Sequence, residues 1–166
     1  SCLRRADVQA GRQVLVYGAS GAVGTLAVQL ARHFGAEVTG VCSTSNLALV
    51  RSLGATSVLD YTREDFTAGE QRYDLIFDAV GKKKSAAGLR HCDRALASGG
   101  KRLSVDDGRP KLLAEDLTLL GDLAARGEIR PVIDRCYPLE ELAEAHRYVG
   151  EGHKRGNVVI SVSHGD

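Results

Sequence analysis

The chain has 166 residues, of which 43% are apolar, and a formal net charge of +1, so it can form one domain, or slightly more, with a real core. The near-neutral charge argues against a nucleic-acid or membrane-surface protein, and no apolar run is long enough to cross a bilayer. The four cysteines, at positions 2, 42, 92 and 136, include no C-x-x-C pair, which argues against a disulfide framework and a zinc knuckle.

Short runs rich in Val, Leu and Ile predict buried strands in the first two thirds of the chain. In chain order, these strands are expected at 13–17, 37–41, 57–61, 74–80 and 101–105. Longer segments of helical period separate them, and this alternation predicts βαβ units around a parallel sheet. The predicted fold class is therefore α/β, a doubly wound parallel sheet with helices on both faces.

Helices are predicted between and after these strands. In chain order they are expected at 23–34, 47–53, near 62–65, at 86–96 and at 112–125. The third would be short and would begin at a capping box formed by Thr62 and Asp65. The apolar stripe of the fifth would consist of Leu113, Leu117, Leu120 and Ala124.

The alternation of strands and helices fades after Pro131. A turn is predicted at RCYP, residues 135–138, followed by a helix from Leu139 to Val149 and a strand at 157–162. This change in pattern divides the chain into two predicted parts, residues 1–131 and 132–166.

The segment VYGASGAVGT, residues 16–25, places three glycines at a spacing of three between the first strand and the first helix. A dinucleotide-binding loop requires this context, because glycines allow the tight turn, the approach of the pyrophosphate and close helix–strand packing. The helix N-terminus adds unpaired N–H groups for the phosphates. Aligned to G-x-G-x-x-G, the loop has Ala19 for the first glycine and Gly18 one place earlier. We predict nucleotide binding; the alternative is a turn needed only for packing.

The end of the second predicted strand lacks the acid that an NAD site ordinarily uses about 20 residues after its glycines to bind the ribose 2′-hydroxyl. The run at residues 42–46 reads Cys-Ser-Thr-Ser-Asn and is uncharged. A carboxylate would repel a 2′-phosphate, whereas hydroxyl and amide groups can donate to it. The run therefore favours NADPH over NADH, by a modest margin because it contains no Arg or Lys. The alternative is that Ser43 and Thr44 only cap the second helix.

The ordered set of segments resembles the medium-chain dehydrogenase/reductase superfamily, and in particular its zinc-independent quinone-oxidoreductase branch. The resemblance rests on the glycine loop with its flanks, on YDLIFDAVGK and ASGGKRLSV, and on the stretch from IRPVIDRCYP to GNVVISV. It implies NADPH-dependent hydride transfer to quinones, enones or related carbonyls. Residues 1–131 would form the dinucleotide-binding Rossmann domain, and 132–166 a helix and a strand that in relatives pack partly on a β-rich catalytic domain.

The resemblance also implies three groups of cofactor-binding residues. The glycine loop, which lines the pyrophosphate, comprises Gly18, Ser20, Gly21, Ala22, Val23 and Gly24. The group around the adenosine 2′-phosphate comprises Ser43, Ser45, Asn46 and Tyr61. The group along the cofactor at the strand ends comprises Asp78, Ala79, Val80, Gly81, Ser104, Val105 and Asp106. No catalytic acid is assigned, and no metal site is expected because the histidines lack ligand spacing.

The sequence departs from the family pattern in ways that affect the cofactor site. The family often has a basic residue at position 45 or 46, and its closing GKVV reads GNVV here, so that Lys154 or Arg155 would stand in for Asn157. The run Lys82 to Lys84 is interpreted as a solvated charge run, with a phosphate or ribose contact as the alternative. The segment after Ser104 is short where relatives have a further helix and a strand that often pairs subunits.

Two functions remain open: the cofactor half of an oxidoreductase whose β-rich substrate half is absent, or a free-standing binding or redox-sensing module. The expected partners are a small quinone or carbonyl substrate of the full-length parent and, through the uncovered apolar strand 157–162, a second copy in a homodimer. Neither nucleic acid nor a membrane is expected. Reduced thiols and an N-terminus without an apolar signal-peptide core predict a cytoplasmic location.

Overall fold

The computed structural model describes residues 6–108 and 113–162. Its main sheet has five parallel strands in the order β3-β2-β1-β4-β5. The strand bounds are β1 Gln13–Tyr17, β2 Glu37–Cys42, β3 Ser57–Asp60, β4 Tyr73–Asp78 and β5 Leu96–Ser104. After β3 the chain crosses to the other side of β1, so the loops that follow β1 and β4 diverge at the carboxyl edge and leave a crevice between them. This arrangement confirms the predicted doubly wound α/β fold.

The described residues contain five α-helices. Their bounds are α1 Ala22–His33, α2 Leu47–Ser52, α3 Lys82–Ser85, α4 Ala114–Ala125 and α5 Leu142–Gly150. The helices α1 and α2 cover one face of the sheet, where Val14, Val38 and Phe77 pack with Val28 and Val50 in the larger core cluster. None of the helices in the described ranges is both long and apolar enough to span a membrane.

The other face of the sheet is covered mainly by chain without long helices, which makes two predicted helices wrong. At 62–65 there are only turns, because the Asp60 carboxylate accepts the Thr62 N–H at 3.0 Å and the Asp65 carboxylate accepts the Thr67 N–H at 2.8 Å. At 86–96 the chain forms turns and a 3₁₀ helix at Cys92–Ala95 before β5 begins. There Leu89, Cys92 and Ala95 are buried at a spacing of three, which suits a 3₁₀ turn as well as an α-helix.

The strand β5 begins five residues earlier than predicted, at Leu96 instead of Lys101. Its pairing with β4 shifts register between Tyr73 and Leu75, and Gly100 lies at this irregularity. A Cβ on Gly100 would come within 2.7 Å of the Tyr73 carbonyl oxygen, so glycine is what allows the two backbones to approach there. The pair Gly99-Gly100 therefore lies inside a strand and not before it.

The predicted stripe of the fifth helix is also wrong. Leu117 is 74% exposed, whereas Leu123, outside the stripe, is fully buried. The helix begins at Ala114, and two residues named in the sequence analysis, Leu112 at its predicted start and Cys2, lie outside the described residues.

The C-terminal part forms a second, two-stranded parallel sheet from β6 Ile133–Pro138 and β7 Asn157–Ser161, joined by α5. The turn predicted at 135–138 is wrong, because those residues form most of β6. Pro138 ends the strand, where its missing N–H is tolerated. The helix and the last strand are confirmed with small shifts of their ends. This unit is attached to the glycine loop, since the Gly156 N–H donates to the Ser20 carbonyl at 2.8 Å.

Candidate cofactor site

The glycine loop turns at the carboxyl end of β1 and leads into α1. Gly18 has φ +79°, and a Cβ on it would overlap the side chain of Val80, while a Cβ on Gly24 would overlap the Gly18 carbonyl oxygen. Both glycines are therefore needed for the turn and for helix packing. Gly21 is different: it is extended with φ −79°, and a Cβ there would lie 3.5 Å from its nearest neighbour. The protein alone does not require glycine at position 21.

A cleft of about 580 Å³ lies in front of this loop. The predicted site residues that line it are Gly18, Ser20, Gly21, Ala22, Val23, Ser43, Ser45, Asn46, Tyr61, Ala79 and Val80. The structure thus brings together the loop after β1, the end of β2, the end of β3 and the turn after β4. The predicted residues that do not line the cleft are Gly24, Asp78, Gly81, Ser104, Val105 and Asp106.

The end of β2 places small polar side chains in the cleft. The Asn46 Nδ2 group donates to Ser20 Oγ at 3.3 Å and to Ser43 Oγ at 3.1 Å, which joins the end of β2 to the glycine loop. Neither Ser43 nor Asn46 makes a side-chain capping hydrogen bond to the helical turn that follows it. The Thr44 hydroxyl donates to the Asp60 carboxylate, so the alternative that Ser43 and Thr44 only cap the second helix has no support in the side-chain geometry.

No acidic side chain lines the cleft within residues 6–108 and 113–162. The nearest acid to the end of β2, Asp60, is buried, and its carboxylate accepts hydrogen bonds from the Thr44 and Thr62 hydroxyls. These two bonds hold the pKa of Asp60 below its ordinary value. Burial raises the pKa of the Cys42 thiol to about 11, so this lining group is uncharged at neutral pH.

Asp78 is fully buried and holds the loops at the ends of β4 and β5 together. One carboxylate oxygen accepts the N–H groups of Val80 at 3.0 Å and Gly81 at 3.1 Å. The other accepts the hydroxyls of Ser85 at 2.6 Å and Ser104 at 3.1 Å. Asp78 therefore acts on the cleft indirectly, by orienting the turn that carries Val80.

Asp106 also holds the turn after β4 in place. Its Oδ2 atom accepts the Lys82 N–H at 2.8 Å, and a Cβ on Gly81, which has φ +102°, would lie 2.9 Å from that oxygen. The predicted residues Asp106 and Gly81 thus build the support behind the cleft instead of its surface.

Basic side chains reach the cleft from two places that are distant in sequence. Lys84, on α3, and the pair His153 and Lys154, after α5, line it. Lys154 is half-buried, and its Nζ donates to the Gly156 carbonyl at 2.6 Å. Asn157 instead donates its side-chain amide to the Val132 carbonyl at 3.2 Å. The sequence named Lys154 only as one substitute for a missing basic residue, and it favoured a solvated role for Lys84.

An aromatic side chain closes the cleft on the β3 side. Tyr61 is 54% exposed, and its ring centroid lies 6.4 Å from that of Tyr17, which also lines the cleft. Within the described part of the chain, no group of three or more His, Cys, Asp or Glu side chains could hold a metal ion.

A doubly wound parallel sheet with a glycine-rich turn between β1 and the first helix defines a Rossmann-type α/β domain. The sequence profile of the zinc-binding dehydrogenase family matches residues 53–114 and 104–160. The chain therefore belongs to this family, in the zinc-independent, quinone-oxidoreductase-like branch of the medium-chain dehydrogenase/reductase superfamily.

Individual relatives agree with this assignment. The chain is 34% identical to the chloroplastic NADPH-dependent alkenal/one oxidoreductase of Arabidopsis thaliana, over 95% of this chain and 42% of the relative. It is 33% identical to the 2-methylene-furan-3-one reductase of Solanum lycopersicum, over 95% and 42%. The quinone oxidoreductase structure from Coxiella burnetii superposes with a TM-score of 0.81 at 28% identity, over 98% and 56%. The chain spans about half the length of the curated relatives it matches.

Proposed function

We propose that this chain is the cofactor-binding part of an oxidoreductase that transfers a hydride between NADPH and a quinone, an enone or a related carbonyl. The observation that carries the proposal is the cleft of about 580 Å³ between the glycine loop and the uncharged end of β2. It lies at the carboxyl ends of the strands, where open α/β sheets bind their ligands. The names of the relatives, which include alkenal and quinone oxidoreductases, support the substrate class.

The residues of the loop fit a dinucleotide. Gly21 is not required by the packing of the protein itself, so its missing Cβ is best explained by close approach of a pyrophosphate to the backbone. The first N–H groups of α1 have no partners within the helix and would donate to the phosphate oxygens. When bound, the nicotinamide supplies the hydride chemistry, and the protein supplies binding and orientation.

Three features of the cleft support NADPH over NADH as the cofactor. No lining side chain among the described residues is acidic, the Ser43 and Ser45 hydroxyls can donate to a 2′-phosphate, and Lys154 adds positive charge. Because no basic residue lies in the run after β2, we expect a modest preference of about 1 kcal/mol, or about fivefold in Kd.

Titration calorimetry with NADPH tests the proposal directly. In Gly21→Asp, a carboxylate and a Cβ would occupy the pyrophosphate position, so we expect binding to be lost. The matched control is Gly121→Asp on α4, where an added Cβ would meet no atom within 4 Å; it adds the same charge and should bind NADPH normally. Equal affinity of Gly21→Asp and the parent chain would refute the site.

The choice between the two nicotinamide cofactors is tested at Ser43. The substitution Ser43→Asp places a carboxylate where a ribose 2′-hydroxyl could donate to it and a 2′-phosphate would be repelled. We expect the ratio of the NADPH and NADH affinities to shift towards NADH. Equal or tighter binding of NADH by the parent chain would overturn the NADPH preference.

The same proposal has three further parts: the division of the chain at residue 131, a cytoplasmic location, and the pairing of two copies through strand 157–162. Val159 and Val162 are exposed. Among the described strands β7 pairs only with β6, while Gly156 directly before it bridges to Gly21, so the other edge of β7 after Gly156 can accept a strand. Light scattering should show self-association that Val159→Lys weakens; a parent chain that is monomeric at high concentration contradicts this part.

We also expect the chain alone to reduce quinones and enones poorly, because hydride transfer needs both reactants held at near-attack distance.

A further inference from the structure

Asn46 is a buried polar residue between the two phosphate-facing parts of the cleft. Its side-chain amide donates to Ser20 Oγ in the glycine loop and to Ser43 Oγ after β2, at 3.3 and 3.1 Å. Asn46 is only 9% exposed, and its Oδ1 atom is buried without a hydrogen-bond partner in the described part of the chain. An unpaired buried acceptor is destabilising, so the two hydrogen bonds that the Asn46 amide donates leave its own oxygen unpaired.

The direction of these two hydrogen bonds determines whether the serine hydroxyls can donate their own protons to a ligand. A serine hydroxyl has one proton and two acceptor lone pairs. Because Asn46 donates to both oxygens, neither serine needs to use its own proton on the amide. Ser20 and Ser43 both line the cleft, and the amide uses neither proton. Ser43 Oγ also lies 3.5 Å from Ser45 Oγ, where either hydroxyl can be the donor, so with Ser45 donating, both protons are available to a ligand. Phosphate oxygens are strong acceptors, and an acceptor needs such a proton.

We propose that Asn46 is a positioning residue that sets the polarity of both hydroxyls, so that Ser20 donates to the pyrophosphate and Ser43 donates to the 2′-phosphate. The inference rests on the proposed function and deepens it. One amide thereby serves two phosphate contacts whose residues lie 23 positions apart in the chain. Asn46 acts only through the serines.

The substitution Asn46→Asp tests this role because it keeps the side-chain shape and reverses the polarity. A carboxylate accepts hydrogen bonds and does not donate them, so it would draw both serine protons away from the cleft. We expect NADPH affinity, measured by calorimetry, to fall about tenfold or more. NADH affinity should fall less, because NADH has no 2′-phosphate for Ser43 to contact.

Two further variants separate hydroxyl polarity from the new negative charge. Asn46→Leu removes the donors without adding charge, and we expect an intermediate loss of NADPH affinity, about threefold to tenfold. In a Ser20→Ala, Ser43→Ala background, Asn46→Asp should cost much less than in the parent chain, because the groups it acts through are gone. Thermal melting of every variant checks that the fold is retained. If a variant at position 46 melts at a lower temperature than the parent chain, Asn46→Ser replaces it in the comparison with and without the two serines.

The outcomes separate this inference from the proposed function. If the parent chain binds neither NADPH nor NADH, the proposed function fails and the role of Asn46 fails with it. If the parent chain binds NADPH but Asn46→Asp binds it equally well, only the role of Asn46 is overturned. An equal loss with and without the two serines also overturns it, because the charge alone would then account for the effect.

Discussion

The helices α1 and α4 are both twelve residues long and rich in apolar side chains, yet the protein uses them differently. Within the described part of the chain, α1 buries Gly24, Thr25, Ala27, Val28, Gln29 and Ala31, whereas α4 buries only Leu123. α1 packs on the main sheet, where glycine and alanine allow close approach. α4, with four leucines, leaves Leu117 74% exposed. Apolar content therefore does not set burial; the neighbouring sheet does.

The two helices are connected by polar contacts around the end of α1. The Gln29 side chain donates to the Arg130 carbonyl at 3.0 Å and accepts the Arg130 N–H at 2.8 Å. His33 pairs with Glu128 at 2.8 Å. The chain after α4 is thus joined to α1 by directed bonds at its C-terminal end, while the N-terminal end of α1 carries the candidate cofactor site.

The largest expected effect comes from placing a charge on each helix. Val28 is fully buried in the core beneath α1, so Val28→Asp would bury an unpaired carboxylate and should destabilise the protein by more than about 4 kcal/mol. The same change at exposed Leu117, Leu117→Asp, should alter stability by no more than about 0.5 kcal/mol. Urea unfolding of both variants measures the difference. Similar losses at the two positions would show that α4 is packed as tightly as α1.

Each helix also contains one glycine, and replacing it by alanine should change the stability of the protein in opposite directions in the two helices. A Cβ on Gly24 would overlap the Gly18 carbonyl oxygen, whereas a Cβ on Gly121 would meet nothing within 4 Å. We expect Gly24→Ala to destabilise the protein by about 2 kcal/mol and to weaken NADPH binding. Gly121→Ala should stabilise it by about 0.5–1 kcal/mol. Thermal melting and calorimetry provide the readouts, and a neutral Gly24→Ala would contradict the close contact.

The third prediction breaks the connection between the helices. Gln29→Leu leaves the Arg130 N–H and carbonyl without their partner, and we expect a loss of about 2 kcal/mol. Hydrogen exchange should increase more in residues 114–130 than at the N-terminal end of α1, because only the former depend on this connection. Gln71→Leu, at an exposed glutamine, is the control. Equal changes across both helices would argue that they unfold as one unit.

The smallest effect is a pH dependence of the same connection. A hydrogen bond from Arg126, aided by His33, holds the pKa of Glu128 below its ordinary value, which is about 4.3. A carboxyl group with a lowered pKa contributes its stabilisation above the ordinary value and loses it as the pH falls through the lowered one. The protection of residues 126–130, which is their exchange rate relative to the intrinsic amide rate at the same pH, should therefore fall in acid. Glu128→Gln should remove this pH dependence, and its persistence would assign the effect to another group.

The sequence by itself determined the α/β class, the approximate positions along the chain of the five strands of the main sheet, and the glycine loop. Short apolar runs, helical periods and turn glycines are local patterns, and the residues that encode them are close together in the chain. The uncharged run after β2 was equally visible. The same patterns predicted an α-helix at 86–96, which was wrong because a spacing of three suits a 3₁₀ turn as well as an α-helix. They also predicted the wrong apolar stripe for α4, because burial depends on what packs against the helix.

Only the tertiary structure decided how distant segments meet. The strand β6 forms because β7, about 20 residues further along the chain, pairs with it, and the local sequence of β6 does not reveal that partner. Lys154 reaches the cleft because Gly156 is hydrogen-bonded to Ser20, and Asn46 connects Ser20 to Ser43 across the gap between two loops. Asp78 looked like a cofactor contact, but burial turned it into the support of two loops. In each case the physical reason is that hydrogen bonding and burial depend on distances in space, which separation along the chain does not specify.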